Sequence, residues 1–332
     1  MSDVSVSKSG TLRVRASRAQ LVAAFAAVYV LWGSTYLGIK FSMETLPAFT
    51  TQGVRYVLAG VLMYAWAVAR RAPAPTAKQW GASAVAGGLL FLLGTGAVIQ
   101  AERFLPSGVA ALLVATEPMA FVLLEAMRRR RSPGPLVIAG IALGTVGLFV
   151  LIGPSAIFGG GGFDARPALL LVACTFAWAG GSLFSRGDRL PKDPIMSTAA
   201  TLLCGGLLLV LLGIARGELA TFDPSAVSLK SVVATIYLLF FGSIVGFTAY
   251  LWLLRATTAS RVSTYAYVNP IVAVFLGWAL AGEPLNHRVY LAGAVIVGAV
   301  AMLIRHGGDE LESVAAEEPD LACPEAAEKI RA

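Results

Sequence analysis

The sequence predicts an all-α membrane protein of ten transmembrane helices arranged as two inverted five-helix repeats. Three observations predict it: too few charges for a water-exposed surface, ten apolar stretches of spanning length, and landmarks in the second half that echo the first. Of 332 residues, 57% are hydrophobic and 14% charged, and the mean hydropathy is +0.75. Soluble proteins carry about one-quarter charged residues. Half that charge over so long a chain implies a surface that faces lipid.

About 20 apolar residues cross a bilayer core. Such runs lie near 19–40, 48–69, 80–102, 107–127, 135–153, 167–186, 195–215, 231–254, 260–281 and 287–305. Pro and Gly clusters such as Pro73 with Pro75, Pro133-Gly134-Pro135 and Gly159 to Gly162 mark turns between them. Ten spans put both chain ends on one side, and the positive-inside rule says which. With a cytoplasmic N-terminus, 19 Lys and Arg face inward and 6 outward. The expected location is the cell inner membrane, with both termini cytoplasmic. Residues 1–18 then form a polar cytoplasmic tail with no cleavable signal. The segment 306–332 holds eight carboxylates and two bases, and reads as an acidic, disordered cytoplasmic tail.

Several function classes are disfavoured. The net charge of +7 would suit nucleic acid, but the bases sit at the ends of apolar stretches. Cys174, Cys204 and Cys323 fit no metal spacing. The glycine run at 159–162 lacks the Lys and helix of a phosphate loop, so neither nucleotide, cofactor nor metal is expected. The loops are too short for a soluble catalytic domain. His287 and His306 lie at span ends without a partner motif, which weighs against a membrane enzyme.

The second half repeats the first. Glu117-Pro118 in TEPMAFVLLEAM sits at the same depth as Asn269-Pro270 in VNPIVAVFLGWA, 152 residues later. That offset also pairs Gly94 with Gly246 and Arg103 with Arg255, and WGSTYLGIK resembles WAGGSLFSR. Five spans per copy is odd, so the copies insert with opposite orientation. Such repeats recur in transporters, where rocking one half against the other alternates access.

The segments WGSTYLGIK, VRYVLAG, AERFLPSGVAALLVATEPM and YVNPIVAVFLGWALAGEPL resemble the EamA family of the drug/metabolite transporter superfamily. The similarity covers about residues 19–305, giving a first repeat at 19–153 and a second at 167–305. It implies a central cavity and export of small metabolites such as amino acids or drugs. One departure stands out: the family often carries Glu at the end of the fourth helix of each half. Here the second half has Gly282-Glu283-Pro284, whereas the first has Arg131.

Charges inside spans usually face a cavity or one another. Two are deep, Arg55 and Glu117, and the sequence leaves open whether they hold substrate or pair together. The guanidinium of Arg55 suits a carboxylate. Glu117 is a candidate proton site, although Pro118 beside it breaks the helical bonding. Aromatic residues at mid-depth suit ring-face binding of apolar or cationic groups. These are Trp32, Tyr36, Trp178, Tyr250 and Tyr265, with Trp32 and Trp178 equivalent in the repeat. Ser34, Gln100, Ser182 and Asn269 add neutral hydrogen bonds, with helix packing as the plainer role.

The leading expectation is a secondary exporter of small organic metabolites working by alternating access within the lipid bilayer. An importer or exchanger of anionic metabolites is the alternative, and a non-transporting receptor or membrane enzyme a remote one. Proton coupling, facilitated diffusion, substrate identity, and a monomeric or homodimeric state stay open.

Overall fold

The computed structural model describes residues 4–6, 12–14, 17–130, 134–152, 165–185, 188–257, 262, 264–285 and 287–317. Among these described residues, ten long helices follow one another. They are α1 Arg18–Ser42, α2 Ala48–Ala69, α3 Ala77–Ala101, α4 Ser107–Arg128 and α5 Pro135–Ile152. The second set is α6 Arg166–Ser185, α7 Pro194–Ala215, α8 Leu229–Leu253, α9 Tyr265–Ala281 and α10 His287–Glu317. Six of them (α1, α3, α4, α6, α7 and α8) are long and apolar enough to cross a membrane, and α5, α9 and α10 contain shorter apolar stretches. The 22 residues of α2 have the length, and Gln52 and Arg55 dilute their hydropathy.

Helix ends follow local chemistry. Ser17 with Gln20 and Thr76 with Gln79 form capping boxes at the starts of α1 and α3. Asp193 accepts from the Met196 N–H to cap α7, where Pro194 occupies the first turn without needing a donor. Gly282 ends α9 at φ +63°, a left-handed conformation that costs glycine little.

Two parts of the chain depart from expectation. Outside the helices, β1 Val4–Val6 and β2 Leu12–Val14 pair antiparallel, with Ser5 opposite Arg13. Apolar residues there alternate at period 2, which the polar overall composition of the tail concealed. At the other end, α10 runs to Glu317, so residues 306–317 are helical rather than disordered. Extending an existing helix needs no new nucleus, and Glu310, Leu311, Glu312, Ala315 and Ala316 favour it. Residues 318–332, Arg131 and the glycine run 159–162 lie outside the described residues.

Helices meet their counterparts across the two halves: α2 packs on α7, α4 on α9 and α5 on α10. The remaining two pairs are exchanged: α1 packs on α8, and α3 on α6. Lipid provides no hydrophobic drive between helices, so close backbone approach must supply the attraction. At the α2–α7 crossing, a Cβ on Gly53 would stand 2.6 Å from the Val210 nitrogen, and one on Gly206 2.8 Å from the Val57 nitrogen. Next to it, Gly87 of α3 meets Gly205 of α7 at 2.6 Å in the same sense. Outward faces carry Leu58, Leu62, Leu207, Leu211 and Phe275, all exposed as a lipid surround allows.

Gly206→Val should force α2 and α7 apart and destabilise the protein by about 1–3 kcal/mol, as overpacking does. Thermal unfolding of the purified protein in detergent checks this. Gly81→Ala, where a Cβ meets nothing within 4 Å, should leave the midpoint near the parent's. Equal midpoints for Gly206→Val and the parent would remove the glycine crossing as a stabilising contact.

Candidate functional site

Among the described residues, three helices are wound as π-helix at mid-length: Val28–Trp32 in α1, Gly88–Thr95 in α3 and Leu238–Gly246 in α8. The wider winding displaces carbonyls from their usual partners, and such segments gather at functional sites. In α8, two carbonyls of the π segment accept from side chains. Leu238 O accepts from Arg55 Nη1 at 3.1 Å, and Gly242 O accepts from Trp32 Nε1 at 3.3 Å.

These segments border a cavity with about 100 Å³ of space open to water-sized molecules. Seven of the residues expected from sequence line it: Trp32, Tyr36, Arg55, Glu117, Trp178, Tyr265 and Asn269. Trp32 and Trp178 meet edge to face, 5.8 Å between centroids at 86°. Trp32 also contacts Tyr265 edge-on at 5.6 Å. Glycines admit both indoles. A Cβ on Gly94 would stand 2.9 Å from the Trp178 ring, and one on Gly246 2.6 Å from Trp32 Nε1. Each half therefore supplies the glycine that receives the tryptophan of the other.

Arg55 and Glu117 make no ion pair with each other. The Arg55 guanidinium donates to Leu238 O, to Ser243 Oγ at 3.3 Å and to the Tyr56 hydroxyl at 2.8 Å. All three acceptors are neutral, and Arg55 Nε has no partner although the residue is 2% exposed. Tyr56 hydrogen-bonds in turn with Thr95 at 3.2 Å. Glu117 heads the second part of α4, where Pro118 interrupts the helix after Val114. Its carboxylate accepts the Tyr265 hydroxyl, which lies 2.5 and 2.6 Å from the two oxygens. The carbonyls of Tyr29 and Tyr265 face the Asn269 amide, which assigns its nitrogen to them as donor, at 3.0 and 3.3 Å. Trp178 Nε1 is buried with no acceptor.

The other four expected residues lie off the cavity. Ser34 donates to Leu31 O and hydrogen-bonds with Tyr237, and Gln100 is not in the lining. Ser182 and Tyr250 hydrogen-bond to each other at 3.2 Å. Tyr250 backs the cavity with its ring tilted against Trp32, 4.8 Å between centroids. Sequence reasoning missed Tyr56, Thr95, Phe91 and Phe247 in the lining. Of these, Tyr56 carried a signal, its position next to a deep arginine.

A second polar cluster lies where α1 and α9 end and α4 begins. Lys40 Nζ lies 2.6 Å from Glu283, which also accepts the N–H groups of Ser107 and Gly108 and the Ser107 hydroxyl. Glu283 thus caps α4, where the helix dipole favours an anion. Burial works against its charged form, but Lys40 and the Ser107 and Gly108 donors hold its carboxyl below the ordinary range.

The chain matches the EamA-like transporter family over residues 19–153 and 165–305. It belongs to that family. It is 36% identical over 289 residues to an uncharacterized inner membrane transporter of Escherichia coli K12, YedA. That match covers 85% of this chain and 90% of the relative. Similarity to a probable amino-acid metabolite efflux pump of Salmonella typhimurium LT2 is 26% over 282 residues, 81% of this chain and 89% of the pump. A solved crystal structure superposes with a TM-score of 0.58 at 21% identity, over 86% of this chain and 96% of the other, which shows a shared fold. The EamA-like protein is therefore a multi-pass inner membrane transporter and not an enzyme.

The depressed pKa of Glu283 sets a direction for stability with pH. Its contribution is full above the ordinary carboxylate pKa and is lost as pH falls through the lower folded value. The thermal midpoint in detergent should therefore drop as pH falls below about 4.5, and less steeply in Glu283→Gln. Parallel curves for parent and variant would contradict the assigned role.

Proposed function

We propose that this EamA-like protein exports small amino-acid-like metabolites by alternating access, binding them between Arg55 and Glu117. The observation that carries the reading is that a cation and an acid line one small cavity without neutralising each other. Burying an uncompensated charge is costly, so a ligand that supplies the missing counter-charge gains more than one meeting a satisfied pair. A carboxylate suits the guanidinium fork with its free Nε, and Trp178 Nε1 adds an unused donor. An ammonium suits Glu117 and the ring faces of Trp32 and Tyr265. The apolar remainder of the ligand meets Phe91, Phe247 and the two indoles.

Size supports the same class. Pockets for drug-sized ligands hold about 300–1,000 Å³, against about 100 Å³ here. The named activity of the Salmonella relative concerns amino-acid metabolites. An anion exchanger is less well served, because Glu117 would repel a second negative charge. Reciprocal tryptophan–glycine contacts, and the packing of α2, α4 and α5 on their counterparts α7, α9 and α10, support rocking of two inverted halves about this cavity. In this reading both termini are cytoplasmic, and the Lys40–Glu283 end faces outward.

Counterflow in liposomes loaded with individual neutral amino acids tests the proposal. At least one should exchange, and Arg55→Ala and Glu117→Gln should each slow it at least about tenfold, near 1.4 kcal/mol of lost transition-state stabilisation. Exchange untouched in both variants would place the site elsewhere.

A further inference from the structure

Glu102 follows the last residue of α3, at the same end of the bundle as Lys40 and Glu283. It is 4% exposed, and neither of its oxygens has a hydrogen-bond partner. Every other buried carboxylate among the described residues has one: Glu117 has Tyr265, Glu125 has Arg128, and Glu283 has four donors. The transport site described above makes no use of Glu102.

Its surroundings are those of a third charge beside a balanced pair. Lys40 from α1 and Glu283 after α9 both act on it electrostatically, and Tyr36 lies within its influence on the cavity side. From α2 and α6, also packed on the end of α3, Arg55 and Cys174 face the cavity instead. Arg103, next in sequence, is exposed. Between its start and Glu117, α4 offers no titratable side chain.

We propose that Glu102 is a proton-binding site that controls closure of this end of the transporter. With the acid neutral, one ammonium and one carboxylate, Lys40 and Glu283, balance each other and tie α1 and α9 to the start of α4. With Glu102 ionised, two carboxylates share one ammonium where one of them has no donor at all. Such a charge is favoured only when water reaches it. Loss of the proton therefore drives α3 from α9 and opens this end, and a proton on Glu102 permits closure. This places an acid that responds to pH at a gate, apart from the transport site at Glu117.

The inference rests on alternating access, which requires this end to open in part of the cycle. The test uses no substrate, so its failure and the failure of the amino-acid reading are distinguishable. Spin labels are attached at Phe104→Cys and Leu280→Cys, two exposed positions flanking the cluster, in a chain with Cys174, Cys204 and Cys323 replaced by alanine. Pulsed electron paramagnetic resonance in nanodiscs then reads the distance between them across a pH series. The parent should shift to longer distances as pH rises. Glu102→Gln should stay at the short distance throughout, and Glu102→Asp, which keeps the acid, should follow the parent. A parent distance independent of pH, or the same shift in Glu102→Gln, overturns the proposal. Infrared spectroscopy decides the matter without the Gln variant, should that variant fail to fold. The parent must show a protonated carboxylic acid band that fades as pH rises and is displaced in Glu102→Asp. Absence of that band at the pH of the short distance overturns the proposal as well.

Discussion

A bilayer interior offers no hydrogen bond to a stray polar group, so the chain must answer each of its own polar atoms. In this EamA-like transporter that constraint organises the whole centre of the bundle. Helices satisfy the backbone, and where α8 widens into π winding, its Leu238 and Gly242 carbonyls accept from Arg55 and Trp32. The same rule makes the exceptions informative. The buried atoms left without a partner include Arg55 Nε, Trp178 Nε1 and the Glu102 oxygens, beside single oxygens of Gln52, Ser83 and Gln100. Two of the first three belong to residues lining one cavity, and the third stands at the end of α3 near Lys40 and Glu283.

Close approach of the halves depends on glycine rather than on apolar burial. Gly53 and Gly206 let α2 and α7 touch backbone to backbone, and Gly94 and Gly246 seat the two indoles. Because lipid is as apolar as leucine, these contacts carry specificity that a soluble core would draw from side-chain volume. A cavity bounded by such contacts has little slack. Its modest volume is consistent with a ligand enclosed by movement of the halves rather than one entering a standing pocket.

Much of the fold was legible because its signals are local. Span positions follow from apolar runs, and the turn between α2 and α3 from Pro73 with Pro75. Arg55 and Glu117 stood out because charge is rare at that depth. What stayed hidden was relational. Among 35 glycines, nothing in the sequence marks Gly206 as the crossing point. Ser34 and Gln100 are polar at suitable depth, but the π segments change the rotation of the helices around them, so regular helical spacing misplaces their faces. Glu102 and Glu283 sit at span ends, where a charge ordinarily reaches water, and only tertiary packing shows that both are buried. The helical start of the acidic tail escaped because composition alone does not reveal that a helix is already under way.

The central claim is that unpaired Arg55 and Glu117 form two ends of one substrate site. An experimental structure determined with a transported amino acid bound tests this most directly. The account predicts the ligand carboxylate on the Arg55 guanidinium within reach of Trp178 Nε1, its ammonium toward Glu117, and its side chain against the indoles. A ligand bound outside this cavity, or Arg55 and Glu117 paired with each other beside it, would contradict the account.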